Sequence, residues 1–277
     1  MQIRPAAAFA DTKPHYDILD GLRGVAALLV VWYHVHEGFS FAGDGGPITG
    51  INHGYLAVDF FFMLSGFVIS YAYDDRWKTM TVKDFIKRRV IRLHPMVVMG
   101  AVIGAVMFYF QGCPVWDVTK VTVAALLLAT FVNALLIPAT PGTEIRGLGE
   151  MYPLNGPSWS LFFEYIGNIL YALIIRKFST KALAVLVVAT GCGLAAFSIF
   201  GPYGDICAGF SLTGTEFTGG FFRLLYAFSA GLLLSRVFRP ARVRGAFWKC
   251  SLLVIILLAV PRLGGADRLW MNGLYDT

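Results

Sequence analysis

A chain of 277 residues with 57% hydrophobic and only 14% charged side chains, and a mean hydropathy of +0.65, cannot coat a soluble surface of its size; an ordinary soluble domain carries about 25% charged residues. The net charge of +6 could suit nucleic acid, but the basic residues cluster beside apolar runs, where they act as topology signals, so no nucleic-acid partner is expected. Four scattered cysteines with no CxxC or His/Cys ligand spacing argue against a metal site, although Cys113 and Cys207 fall in expected outside loops where a disulfide could form.

The length accommodates about eight membrane spans of roughly 20 residues. Apolar runs predict helices near 19–36, 54–73, 95–111, 118–137, 157–175, 182–200, 217–237 and 247–261. The expected fold is therefore an all-α polytopic transmembrane helix bundle in a single membrane domain, 1–277. No small-residue cleavage pattern follows the first run, so it is expected to be a retained helix rather than a signal peptide. The sequence stops at Asp276-Thr277, soon after Trp270-Met271-Asn272-Gly273-Leu274, which resembles the approach to a further span.

Basic residues set the expected orientation. The stretch 74–94 holds seven of them, among them Arg89 and Arg92, and 235–249 holds five with no acid; both are predicted cytoplasmic, as is the amino terminus. Loops 37–53 and 201–216 contain no Lys or Arg and are predicted outside. One conflict arises. Two full spans after 74–94 would bring 138–156 inside, yet Arg176, Lys177 and Lys181 also ask to be inside. Either one run fails to span, or 138–156 re-enters the membrane. Pro138, Pro141, Gly142 and Pro157 make this stretch rich in helix breakers, and irregular backbone at membrane depth requires a covering of protein or a wet cavity. The segment could line the functional cavity or be an ordinary surface loop.

Ionisable residues inside apolar runs are costly and commonly functional. In the first run, Arg23 sits near the cytoplasmic side and His34 lies 11 residues on, about 16 Å of helix toward the outside. An imidazole can accept a hydroxyl proton near neutral pH; an interfacial histidine beside Trp32 and Tyr33 with no chemistry is the simpler alternative. Asp59 in the second run could orient a histidine or an acceptor, cap the helix, or pair with an arginine. Ser65-Gly66 in the same run reads as a close-packing site. Arg89 and Arg92 share one helix face and could grip phosphates through their planar forks, or simply mark a cytoplasmic helix end. Ser160 and Glu164 share a face at i,i+4; Glu164 could orient a substrate or neutralise an arginine.

Taken in order, LDGLRGVAALLVVWYH, VDFFFMLSGF, RRVIRLHP and WSLFFE resemble the acyltransferase type 3 family of membrane acyltransferases, over Leu19 to Glu164. The resemblance implies a helical domain of about ten spans, so the chain is a helix or more short of the family length. It implies acyl-coenzyme A as co-substrate, with no permanently bound cofactor. The implied acceptor is a hydroxyl-bearing glycan, glycolipid or other surface compound, and the implied location is the bacterial inner membrane. It places the family's histidine on His34, its paired arginines on Arg89 and Arg92, its first-helix arginine on Arg23 and its later glutamate on Glu164. His34, Glu164 and Asp59 are the expected catalytic residues, and Arg89, Arg92 and Arg23 the expected donor-binding residues. A transporter or flippase for a glycolipid also uses intramembrane charges and is the competing class, with a non-catalytic scaffold as a third.

Overall fold

A computed structural model describes residues 13, 15–42, 52–110, 118–140, 142–239, 241–264 and 266–277. They form helices α1 (Asp17–Ala42), α2 (Ala57–Tyr73), α3 (Val82–Phe110), α4 (Val123–Ala134), α5 (Ser158–Leu173), α6 (Thr180–Phe200), α7 (Gly214–Val237), α8 (Ala246–Ala259) and α9 (Trp270–Asp276). Beyond short 3₁₀ turns, the other regular pairing among the described residues is an isolated bridge between Asn52 and Pro261. This is the expected all-α bundle, with eight apolar helices where eight runs were read. Six of the helical stretches are long and apolar enough to cross a membrane, while α4 and α8 fall short.

The centre of the bundle is the parallel pair α2 and α7, whose starts meet at Asp59 and Arg223 and whose ends meet at Asp74 and Arg236. The Ser65-Gly66 reading holds here at the level of backbone contact. A Cβ on Gly66 would stand 2.1 Å from the carbonyl oxygen of Phe228, and one on Gly231 would stand 1.9 Å from that of Met63. Bare glycines let the two helices touch, the small-residue device of membrane interfaces. Around this pair, α3 and α1 carry apolar side chains such as Val102, Ile103, Met107 and Leu28 on exposed faces, as lipid requires.

One end of the bundle is basic. There Asp74, at the end of α2, accepts from Ser70 Oγ, Tyr171 Oη and Arg236 Nε at 2.8, 2.7 and 2.9 Å, and Arg236 also donates to the Phe178 carbonyl. One carboxylate thus ties α2, α5 and α7 and the start of α6 together. At the opposite end, the loop 201–213 covers the bundle: Gly209 N donates to Glu216 and Met151 N donates to the Phe210 carbonyl, both at 2.8 Å.

Three helices differ from expectation: α1 runs on to Ala42 rather than ending near 36, and the third and fourth have other bounds. The third helix starts at Val82 rather than near 95, because Thr81 and Asp84 form a reciprocal cap and the single Pro95 is carried inside the helix. The fourth covers Val123–Ala134 rather than 118–137. Thr122 Oγ1 caps its start by accepting from Ala125 N. It ends because Leu136 adopts a left-handed backbone (φ 56°), a position that glycine usually fills, and Pro138 follows. The Leu136 carbonyl accepts from the buried Tyr152 hydroxyl at 3.0 Å, which helps hold this turn.

Twelve residues rise about 18 Å, well short of an apolar core about 30 Å thick. The chain from 135 to 157 then folds back beside α3, with the Leu154 carbonyl against Gly104 and Asn155 against Gly100, well inside the length of that helix. Met151 and Tyr152 are almost fully buried within it. α4 is thus too short to span, as one reading of the conflict held, and Met151, Tyr152 and Leu154 lie buried beside α3 while Thr140 and 147–149 stay exposed. The basic stretches 74–94 and 176–181 then share one side.

Candidate functional site

A cavity of about 300 Å³ opens between α1, α2, α3 and α5 in the basic half of the bundle. Its polar wall is Arg23, Ser65, Arg89, Arg92, Ser160 and Glu164, over an apolar side of Val58, Phe61 and Phe62. Four sequence-predicted site residues on three helices thus converge on one space, and Ser160 and Glu164 do share a face.

Within the cavity, Arg89 Nη2 donates to Glu164 Oε1 at 2.8 Å, and Ser65 Oγ donates to the same oxygen at 2.6 Å. The Arg89 side chain is 4% exposed, so this is a desolvated pair rather than a surface one. Its Nε has no hydrogen-bond partner. Glu164 therefore neutralises an arginine, as one of its two sequence readings held. Arg92 lies exposed at the cavity, and Arg23 pairs with Asp20 at 2.9 Å on its own helix. With three guanidiniums against one carboxylate lining it, the cavity favours an anion.

Asp59 is not part of this cavity. It meets Arg223 of α7, accepting from Nη2 at 2.7 Å and from Nε at 3.1 and 3.2 Å. Arg223 is 1% exposed and gives its remaining protons to the Ala208 and Tyr55 carbonyls, at 3.0 and 2.9 Å, while its guanidinium lies over Trp159. Asp59 thus anchors an arginine, the structural alternative among its sequence readings. Arg223 itself went unread, although a lone arginine inside FFRLLYAF is a strong signal of a paired intramembrane charge.

His34 also stands apart from the cavity. Its side chain is 46% exposed, and Nδ1 lies 2.8 Å from Glu37 Oε2. A carboxylate on Nδ1 fixes the tautomer that leaves Nε2 free to accept a proton. Glu37 was read only as a loop charge; its i,i+3 spacing from His34 was the available signal. Ser65 was read only as a packing residue, and its bond to Glu164 was missed.

Near His34, Tyr33 Oη lies 3.7 Å from Cys207 Sγ. Burial pushes the Cys207 thiol up to about 11, with Arg223 opposing, so it stays protonated at neutral pH. Cys207 is free of any disulfide, and its conceivable partner Cys113 lies outside the described residues.

Residues 16–276 match the model of a family described as an acyltransferase domain. The chain is 36% identical over 162 residues to protein 2 in picA locus of Rhizobium radiobacter, covering 56% of this chain and 80% of that protein. It is 30% identical over 178 residues to acyltransferase MdmB of Streptomyces mycarofaciens, covering 60% of this chain and 41% of that protein. It is 33% identical over 102 residues to peptidoglycan O-acetyltransferase OatA of Listeria monocytogenes, covering 36% of this chain and 15% of that protein. The matched stretches thus span less than half of the last two relatives. No solved structure matches the chain.

Proposed function

This chain belongs to the acyltransferase type 3 family of membrane acyltransferases, and from that premise we propose that it transfers an acyl group, acetyl foremost, from cytoplasmic acyl-coenzyme A to a hydroxyl of a surface glycan or related acceptor across a bacterial inner membrane. The observation that carries this reading is the convergence of Arg23, Arg89 and Arg92 on one cavity at the basic end.

Guanidinium forks match phosphate oxygens in shape and charge. The nucleotide phosphates of the donor dock at this wall, with Arg92 presented to them and Arg89 held in place by Glu164 and Ser65. The apolar side formed by Val58, Phe61 and Phe62 receives the donor's uncharged arm, which carries the thioester away from the arginines. His34, about 16 Å along α1 from Arg23, serves as the base. Its Nε2 takes the proton of the acceptor hydroxyl as that oxygen attacks the thioester carbonyl. The carbon–sulfur bond breaks, and the coenzyme A thiolate leaves with the proton returned from His34. Glu37 on Nδ1 orients the ring and supports the transient imidazolium.

The test is to incubate purified protein with radiolabelled acetyl-coenzyme A. Release or transfer of the label by the parent chain, and its loss in His34→Ala, supports the reading; a parent chain that leaves the thioester intact sinks it.

A further inference from the structure

A second groove, of about 590 Å³, lies at the end opposite the basic one, between the 135–157 segment and the 201–213 loop. Its lining includes Thr140, Glu144, Glu150, Ser211 and Thr213, with Met151 and Leu212 supplying apolar surface. The donor cavity makes no use of any of these residues. Three hydrogen bonds give the groove a fixed shape. Met151 N donates to the Phe210 carbonyl and joins its two walls. Glu144 accepts from its neighbours' backbone, Arg146 N at 3.0 Å and Gly147 N at 2.6 Å, which sets its carboxylate on the loop.

The groove keeps a net negative charge. Arg146 Nη1 donates to the lining carboxylate of Glu150 at 3.0 Å and to the Pro153 carbonyl at 3.2 Å, which neutralises one of the two lining carboxylates and leaves Glu144 as the uncompensated one. The groove itself presents two carboxylates, three hydroxyls and no cation among the described residues that line it. Such a surface accepts hydrogen bonds from many hydroxyls, offers an apolar patch to a ring face, and repels an anion.

The groove also borders the reaction path. Glu150 Oε1 lies 3.7 Å from where a Cβ on Gly156 would stand, and Ser160, four residues further on, lines the donor cavity. Burial raises the Glu150 carboxyl, Arg146 opposes, and Glu144 and then Glu37 add to the rise.

We propose that this groove binds the acceptor and selects a neutral polyhydroxylated ring, a sugar without carboxylate or phosphate, over an anionic one. The assignment of the ligand as acceptor rests on the reading of the chain as an O-acyltransferase; the existence of the glycoside site does not.

Saturation-transfer NMR on the detergent-purified full chain tests it directly, with methyl β-glucopyranoside and methyl N-acetyl-β-glucosaminide as neutral probes and methyl β-glucuronide as the anionic one. Both neutral probes are expected to receive saturation, and the glucuronide about tenfold less or none. Thr140→Trp, which fills the groove from an exposed position, abolishes the signal; Glu150→Gln weakens neutral binding and narrows the gap to the glucuronide. Failure of every neutral probe to bind the parent, or equal binding by parent and both variants, overturns the proposal. A parent that binds glycosides in this groove yet never moves label from acetyl-coenzyme A keeps the site and defeats the acyltransferase reading. Transfer with undiminished glycoside binding in Thr140→Trp keeps the enzyme and defeats the site.

Discussion

Arg223 of α7 and Asp59 of α2 meet at 2.7 Å, and the arginine is buried to 1% exposure with five hydrogen bonds to three partners. Removing one member of such a pair strands a buried charge, at a cost of about 3–5 kcal/mol. Asp59→Ala is therefore expected to lower the thermal unfolding midpoint of the detergent-solubilised protein sharply. Arg223→Lys should recover little, because a single ammonium cannot reproduce the fork that reaches Asp59 and two carbonyls at once. An Asp59→Ala protein that melts like the parent would remove the anchoring role.

His34→Ala is expected to insert and melt normally, since the side chain is half-exposed, while acyl transfer falls about 10²–10⁴-fold with the general base gone. Glu37→Gln should cost less, because a neutral amide can still accept from Nδ1 but supports the imidazolium poorly. Near-normal turnover in His34→Ala would end the assignment of this residue as base.

Arg92→Lys separates phosphate recognition from topology. Membrane orientation counts charge, so insertion should be unaffected. Donor affinity by calorimetry should fall about tenfold or more, since a charge-assisted hydrogen bond is worth roughly 1.5–3 kcal/mol. Adding Arg89→Lys should weaken binding further while also loosening Glu164, which the lysine holds less well. Undiminished binding in the double variant would make both arginines orientation signals alone.

The close approach of α2 and α7 predicts a steric effect. Gly231→Ala places a methyl group 1.9 Å from the Met63 carbonyl oxygen, so the helices must part. Overpacking of this kind typically costs about 1–3 kcal/mol. Gly24→Ala, where a Cβ meets nothing within 4 Å, is the matched control and should leave stability unchanged or slightly raised. Equal melting of the two variants would show that the helix pair has slack.

Orientation is checked by labelling intact cells with a membrane-impermeant maleimide, in a background without the native cysteines. Tyr203→Cys, in the 201–213 loop, should react, and Lys78→Cys, at the basic end, should react only after lysis. The reverse pattern would invert the proposed topology.

Much of this arrangement was legible because it is local. Runs of apolar residues located eight helices, and glycine beside serine located the central contact. The acid-free cluster 235–249 and the basic stretch 74–94 marked the expected cytoplasmic side. What stayed hidden is partnership across the chain. Nothing in the local pattern says that Glu164 closes on Arg89 and Ser65, 75 and 99 residues away, or that Asp59 belongs to Arg223. The end of α4 was also invisible, because its left-handed turn is made by Leu136, whose side chain is buried, rather than by a glycine that would have announced it.

That short helix has a consequence for how the protein is made. Long apolar helices can enter lipid one at a time and associate afterwards. The stretch from 123 to 157 cannot, because its irregular half leaves the buried Met151 N–H to the Phe210 carbonyl of the 201–213 loop, a partner synthesised more than 40 residues later. During biogenesis this stretch must wait at the membrane surface, or under the shelter of an insertion factor, until α7 and its preceding loop arrive. Chains stalled before residue 213 should therefore remain accessible to protease at 138–156, at a time when α1, α2 and α3 are already protected.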